Sequence, residues 1–380
     1  MSNLAEKGVL FTDAHSNGPV CAISRAGILI GRYQQRAGFW QNDQSRDELP
    51  KFGKEKTIAD VLKENGYKSS FVGKWHVGLR KHLHPLRRGF DYFYGFLGHG
   101  AHEYYDLTIK DPGSGTDIME NDQEVDEGRN KYLTDLITDK TIDFIKENKD
   151  NKFFAYVAYN AVHWPIEPPK SGEFSENCGS SNRSQMVCML GRMDVGIKKI
   201  LDTLEELSLT ENTMVIVMGD NGGAGKVDAD NYPLRDKKGS YYEGGIRVPL
   251  IISWPGKIAS GEKFHKAVMG FDIFPTILGA ANISVPDNLD GKNLLPYLKK
   301  ESGSSSPEKT GEVHDFLVWD EDDGKYAVRK GDYKLINNKG DKELYDLSKD
   351  LGEKNNIRSS QSGKYKELEK IYEKWKEDMG

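Results

Sequence analysis

Three short apolar runs end in loops rich in groups that bind anions, move protons or hold metals. Phe71-Val72 leads into Gly73-Lys74-Trp75-His76. Ala155-Tyr156-Val157-Ala158-Tyr159 leads into Asn160-Ala161-Val162-His163-Trp164-Pro165. Val215-Ile216-Val217-Met218 leads into Gly219-Asp220-Asn221-Gly222-Gly223. In open α/β sheets, ligands bind beyond the carboxyl ends of the strands. One site lined by Lys74, His76, His163, Asp220 and Asn221 is the economical reading. Any one of them alone is also an ordinary polar loop residue; the recurrence favours a site. Cys21 stands at the start of a further apolar segment through Ile28-Leu29-Ile30. A cysteine there is either a small buried hydrophobe or a group aimed at an anion, because the unpaired N–H groups and dipole of a helix start favour negative charge. Lys74 and Lys238 both lie in glycine-flanked loops, where backbone can approach an anion closely.

The elements that must position these groups alternate. Ser69–Val72, Phe153–Tyr159, Met214–Met218 and Pro249–Ser253 are short and β-favouring, and read as buried strands. Thr57 to Gly66 predicts a helix, with Thr57 and Asp60 placed for a capping box and Gly66 as the stop. Leu190, Met193, Ile197, Ile200, Leu201 and Leu204 recur at helical spacing and predict a long amphipathic helix. Alternating helices and strands predict an α/β fold, with a large, mixed, mostly parallel sheet flanked by helices over residues 1–300. Glu301 to Ser306, with its serines, reads as a boundary loop before Pro307. A smaller C-terminal α+β subdomain follows over 307–380. Its expected strands are Asp315–Trp319, Tyr326–Arg329, Tyr333–Ile336 and Leu344–Asp346, and its expected helix is Lys364–Glu377.

Composition removes several classes of function. The chain has 380 residues, and 53 basic against 59 acidic side chains leave a net charge of −6. That balance argues against a general nucleic-acid binder, which is usually basic. No apolar run approaches the roughly 20 residues of a membrane helix. Three cysteines cannot build a disulfide framework. Cys188 reads as core of the amphipathic helix, with a Cys178–Cys188 bridge left open.

The sharpest segment is Pro19-Val20-Cys21-Ala22-Ile23-Ser24-Arg25-Ala26-Gly27-Ile28-Leu29-Ile30-Gly31-Arg32. It resembles the signature of the type I, formylglycine-dependent sulfatases, which are arylsulfatase-like members of the alkaline phosphatase superfamily. The resemblance continues through Gly73-Lys74-Trp75-His76-Val77-Gly78, His163-Trp164-Pro165, Gly219-Asp220-Asn221-Gly222-Gly223 and Lys238-Gly239-Ser240-Tyr241-Tyr242-Glu243-Gly244-Gly245-Ile246-Arg247-Val248-Pro249. Arg329 to Ile336 and Glu343 to Leu347 also resemble family segments. The motifs keep one order along essentially the whole chain.

This resemblance implies a sulfuric ester hydrolase acting on a sulfated small molecule or glycan, with a sulfated carbohydrate as the expected class. Such cleavage needs a nucleophile near sulfur, cations around the sulfate oxygens and an acid for the departing alcohol. By resemblance, a formylglycine-generating enzyme oxidises Cys21, whose hydrated aldehyde supplies the attacking hydroxyl. Arg25 steadies that group, Lys74 and Lys238 bind sulfate oxygens, His76 assists breakdown of the hydrate, and His163 protonates the leaving alcohol. Asp220, Asn221 and the Cys21 product hold a divalent cation, usually Ca2+, which suits oxygen ligands. His102 and Trp164, with His99 and Tyr104, are candidates to touch the sugar, with ordinary packing as the alternative. His82, His84, His99 and His102 lack zinc-ligand spacing.

Two features depart from the family pattern. Ile23 stands where the maturation motif carries Pro or Ala, which bears on conversion of Cys21. The family's opening strand with Asp-Asp-x-Gly, two of whose aspartates are metal ligands, has no counterpart; Met1 reads as an internal methionine of a longer chain. A truncated or catalytically silent relative, and a phosphate- or phosphonate-ester hydrolase, are therefore the competing expectations. Family resemblance implies a periplasmic or secreted protein, whereas a complete chain without a leader would be cytoplasmic.

Overall fold

The computed structural model describes residues 1–46, 48–98, 102–110, 112, 114–299 and 310–379. The chain forms two compact units. The first comprises Met1–Asn3, Asp43–Met214 and Lys226–Ala229; the second comprises Leu4–Asn42, Val215–Gly225 and Asp230–Gly380. Residues 300–309, where the sequence places a boundary loop, and His99 lie outside the described residues.

The first unit is built on a five-stranded sheet. Its order is Gln123–Glu124, Met119–Glu120, Tyr92–Phe96, Lys68–Lys74 and Phe153–Ala158. Lys68–Lys74 pairs in parallel with both neighbours, Tyr92–Phe96 and Phe153–Ala158, and the other pairings are antiparallel. Parallel strands carry cover on both faces, which is why Phe71-Val72 and Phe93-Tyr94 are continuous apolar runs. Val72, Tyr94 and Phe96 pack with Leu133 and Ile137 of the helix Leu133–Glu147. The helix Ile58–Glu64 starts at the anticipated capping box: Thr57 Oγ1 accepts from Asp60 N, and Asp60 Oδ2 accepts from Thr57 N. Gly73, at φ +117°, sits where a Cβ would lie 2.1 Å from the carbonyl oxygen of Ala158. Only glycine lets the two strands close up immediately before Lys74.

In the second unit a mixed four-stranded sheet runs in the order Glu262–Phe264, Val9–Phe11, Leu250–Ser253 and Val215–Met218. Val9–Phe11 is parallel to Glu262–Phe264 and antiparallel to Leu250–Ser253. The helix Cys21–Ile30 is buried at all ten positions and ends at Gly31 in the left-handed region, φ 65°. Eight of its ten residues are apolar or glycine, as an enclosed helix requires, and the buried charge of Arg25 is paired with Asp220. Leu317–Asp320, Lys325–Lys330, Tyr333–Asn338 and Asp341–Asp346 form an antiparallel meander, and the helix Ser362–Met379 packs on it. Their core is aromatic: Tyr326 stacks on Tyr372, and Tyr33 meets Trp375 edge-on. These elements agree within a few residues with those read from the sequence. Among the described residues, no helix is long and apolar enough to cross a membrane.

Candidate active site

Cys21 is the first residue of its buried helix and is 4% exposed. Val20 precedes it in extended conformation and offers no side-chain cap. A first turn leaves unpaired N–H groups; here the side chain of Asn42 takes one of them, accepting from Ala22 N at 3.0 Å. Lys238 Nζ donates to Cys21 Sγ at 3.0 Å, and the thiol donates to Asn221 Oδ1 at 3.2 Å. One helical turn on, Arg25 Nε donates to Asp220 Oδ2 at 2.9 Å. The second unit thus brings together Cys21, Arg25, Asp220, Asn221 and Lys238.

Backbone contacts explain the convergence. Asp220 and Asn221 follow the strand Val215–Met218 directly. Gly222 N donates to Gly245 O, and Lys238 N donates to Gly223 O. Gly239 N donates to Pro19 O at 3.0 Å, which ties the Lys238 loop to the chain just before Cys21. A Cβ on Gly222 would stand 1.9 Å from Gly244 O, so glycine is what allows this approach. Ile23 is 1% exposed and fills the space over Gly18, where an added Cβ would meet its Cδ1 at 2.2 Å. The departure from the family motif is therefore packed as core.

The remaining sequence candidates belong to the first unit. Lys74 closes its strand and is 2% exposed, and His76 follows at φ 61°, also buried. Trp75 N and His76 N continue the pairing by donating to Phe96 O and Leu97 O. The ring of His102 lies 4.8 Å from that of Phe96, whose strand position is opposite Lys74. Burial lowers the pKa of His102, against the raising effect of its ring's hydrogen bond to Glu103 O. His163 follows the strand Phe153–Ala158 and is held through its backbone. Tyr104, fully buried, donates one hydroxyl to Asn160 O and His163 O at 3.1 Å each. His163 Nδ1 is 2.8 Å from Trp164 O, and Trp164 itself is 51% exposed. Lys74, His76, His102 and His163 thus gather around the carboxyl ends of three adjacent parallel strands. His82 and His84 part company: His82 Nε2 meets Glu48 O, and His84 Nδ1 accepts from Leu86 N.

Two features go beyond the sequence reading, one left open there and one missed. Cys178 and Cys188 are disulfide-bonded, which settles the alternative left open for Cys188. The second is a buried network in the second unit. Arg329 donates to both oxygens of Asp13 at 2.7 and 2.6 Å. Lys334 Nζ, fully buried, donates to Glu243 at 2.7 Å and Glu353 at 2.8 Å. Arg247 reaches Glu243 at 3.1 Å, and His15 Nε2 lies 3.2 Å from the same carboxylate. Burial alone would raise the carboxyls of Asp13 and Glu243. For Asp13 the hydrogen bonds from Arg329 win, and for Glu243 the charge of Lys334 wins, so both are lowered.

Metal ligation has two candidate places. Asp220 and Asn221 offer oxygens beside Cys21, the donor type a hard divalent cation takes. Among the described residues, Asp13, His15 and Glu243 form a buried group whose ligand atoms all lie within 4.8 Å of one another. That group could hold an ion by geometry. Its carboxylates, however, already carry Arg329, Arg247 and Lys334, and an added divalent cation would meet three positive charges. Asp220 likewise carries a cation, Arg25, so charge lessens but does not remove the difference between the two places.

The sulfatase family profile matches residues 1–283, and a profile described as N-sulphoglucosamine sulphohydrolase, C-terminal, matches 231–379. Uncharacterized sulfatase YdeN of Escherichia coli (strain K12) is 30% identical over 349 residues, covering 83% of this chain and 58% of that protein. N-acetylgalactosamine-6-sulfatase of Homo sapiens is 31% identical over 326 residues, covering 78% of this chain and 60% of that protein. The chain therefore spans under two thirds of the length of these relatives. The crystal structure of Ps i-CgsB in complex with k-i-k-neocarrahexaose superposes with a TM-score of 0.87 at 30% identity, covering 98% of this chain and 86% of that one. With its signature helix, its paired Asp-Asn loop and its lysine loop assembled as described, the chain belongs to the sulfatase family.

Proposed function

We propose that this chain carries the reacting centre of a sulfuric ester hydrolase whose substrates are sulfated carbohydrates. The observation that carries the reading is the Cys21 thiol held between Lys238 Nζ and Asn221 Oδ1 at the start of a buried helix. A cation and unpaired helix N–H groups at one point favour a tetrahedral oxyanion. Conversion of Cys21 to formylglycine would supply the hydroxyl nucleophile that drives sulfate transfer and release. Asp220 and Asn221 would hold the divalent cation, Ca2+ by resemblance, which would offset sulfate charge. Arg25 neutralises and orients Asp220 through its 2.9 Å bond, and Lys238 holds a sulfate oxygen.

For the residues of the first unit, family resemblance rather than a distance carries the roles. Lys74 binds a sulfate oxygen, His76 assists breakdown of the hydrate, and His163 protonates the leaving alcohol. His102 and half-exposed Trp164 contact the sugar; an indole face suits a sugar ring. The carbohydrate class is supported by what two relatives' names say, an N-acetylgalactosamine-6-sulfatase and a protein solved with k-i-k-neocarrahexaose. A periplasmic or secreted location is supported by the Cys178–Cys188 bridge, since disulfides persist in oxidising compartments.

Mass spectrometry of the peptide containing Cys21, after co-expression with a formylglycine-generating enzyme, tests the nucleophile. An aldehyde in place of the thiol is expected. A thiol left untouched would favour the silent relative, with Ile23 at the Pro or Ala position of the maturation motif as the reason.

A further inference from the structure

Lys238 bears its charge on four methylenes, so its placement against one sulfur depends on how its backbone is held. Its own N–H donates to Gly223 O at 3.0 Å. One side chain braces that contact. Asn231 Oδ1 accepts from Gly223 N at 3.1 Å, and Asn231 Nδ2 donates to Gly223 O at 3.1 Å. Asn231 Nδ2 also donates to Asp236 O at 3.1 Å. The carboxamide therefore pairs with both polar groups of one glycine, as a neighbouring strand would, and reaches the residue two places before Lys238. Gly223 in turn lies two residues after Asn221, whose Oδ1 is the other atom on Cys21 Sγ. The amide thus bridges the Asn221 loop and the Lys238 loop beside the direct bond from Lys238 N to Gly223 O. Arg235 anchors the far side: its guanidinium donates to Tyr345 Oη and Glu353 O, and its carbonyl accepts from Gly244 N.

We propose that Asn231 is a positioning residue, holding Lys238 and Asn221 at the distance from each other that places both on Cys21. The inference rests on the sulfatase reading, because Lys238 is taken as a sulfate-binding cation. A backbone displaced by about 1 Å near a reacting centre costs on the order of 100-fold in rate. Asn231→Ala is accordingly expected to lose about 10- to 100-fold in kcat/KM.

The test is a double-mutant cycle with Asn231→Ala, Lys238→Ala and the double variant, read as kcat/KM on a sulfate ester and as affinity for inorganic sulfate by calorimetry. Residues acting through one another are not additive. Adding Asn231→Ala to Lys238→Ala is expected to cost clearly less than adding it to wild type in both readouts, the remainder being the Asn221 part. An equal loss on adding Asn231→Ala to either Lys238 background overturns the proposal and leaves Asn231 as a loop brace only. Asn231→Asp, which keeps the acceptor for Gly223 N and loses both donors, repeats the cycle should the alanine variant fail to fold. A wild-type chain that binds sulfate without turnover contradicts the sulfatase reading alone, since the affinity cycle still decides the role of Asn231.

Discussion

Lys238 Nζ lies 3.0 Å from Cys21 Sγ, although 217 residues separate the two in the chain. The cation meets the Cys21 sulfur, the proposed nucleophile position, at the mouth of a helix whose first turn has no side-chain cap of its own. Removing one such preorganised donor typically costs 100- to 1,000-fold in rate. Lys238→Met should lose about that much in kcat/KM. Lys238→Arg should recover only part of it, because a planar fork cannot replace a compact charge at one atom. Steady-state kinetics of the two variants check this; equal rates in Lys238→Met and wild type would remove Lys238 from the mechanism.

Stability should respond most to the buried network. Lys334→Met leaves Glu243 and Glu353 without their shared cation in a site closed to water. Breaking a buried pair costs about 3–5 kcal/mol, and urea denaturation should show a loss of that size. The acid limb carries a second signature. Arg329 holds Asp13 below its ordinary 3.8 against the raising effect of burial, so the unfolded chain takes up that proton at higher pH than the folded one. The stabilisation is complete above the ordinary value and is lost as pH falls through the folded one. Asp13→Asn should flatten this part of the stability profile; an unchanged acid limb would show that Asp13 does not contribute to it.

His163 should show its role through the leaving group. Protonation matters most when the departing alkoxide is basic. His163→Ala should therefore slow alkyl and sugar sulfates far more than aryl sulfates with acidic phenols. A series of esters of graded leaving-group pKa measures the slope. Equal loss across the series would assign His163 to binding or packing.

Thiol counting separates the three cysteines. Cys178 and Cys188 are bridged, and Cys21 is free. An unconverted chain, denatured without reductant, should label at one cysteine, and a converted chain at none. Reduction should add two in either case. Two or more labelled cysteines before reduction would contradict the bridge.

The strands and helices were readable because their signals are local. Thr57 and Asp60 lie three residues apart and form the box their spacing implies. Phe71-Val72 is apolar on both faces and lies between two parallel neighbours. Cys21, Arg25, Asp220, Asn221 and Lys238 were named from short motifs, and they converge. What stayed hidden depends on separation. Arg329 and Asp13 are 316 residues apart, and alone each reads as a solvated charge. Glu243 and Arg247 lie four apart and Asp13 and His15 two apart, yet neither spacing points to the distant partners that complete the network. Asn231 carried no signal because its three partners are backbone atoms, which no residue identity encodes. Ile23 read as a broken motif, while its packing over Gly18 appears only in three dimensions.

The most direct measurement compares initial rates on matched sulfate and phosphate esters for the matured wild-type chain and Cys21→Ala, each supplied with Ca2+. A sulfatase built on Cys21 should release sulfate faster than phosphate, and Cys21→Ala should release neither above background. Faster phosphate release, or sulfate release that survives the loss of Cys21, would contradict the account.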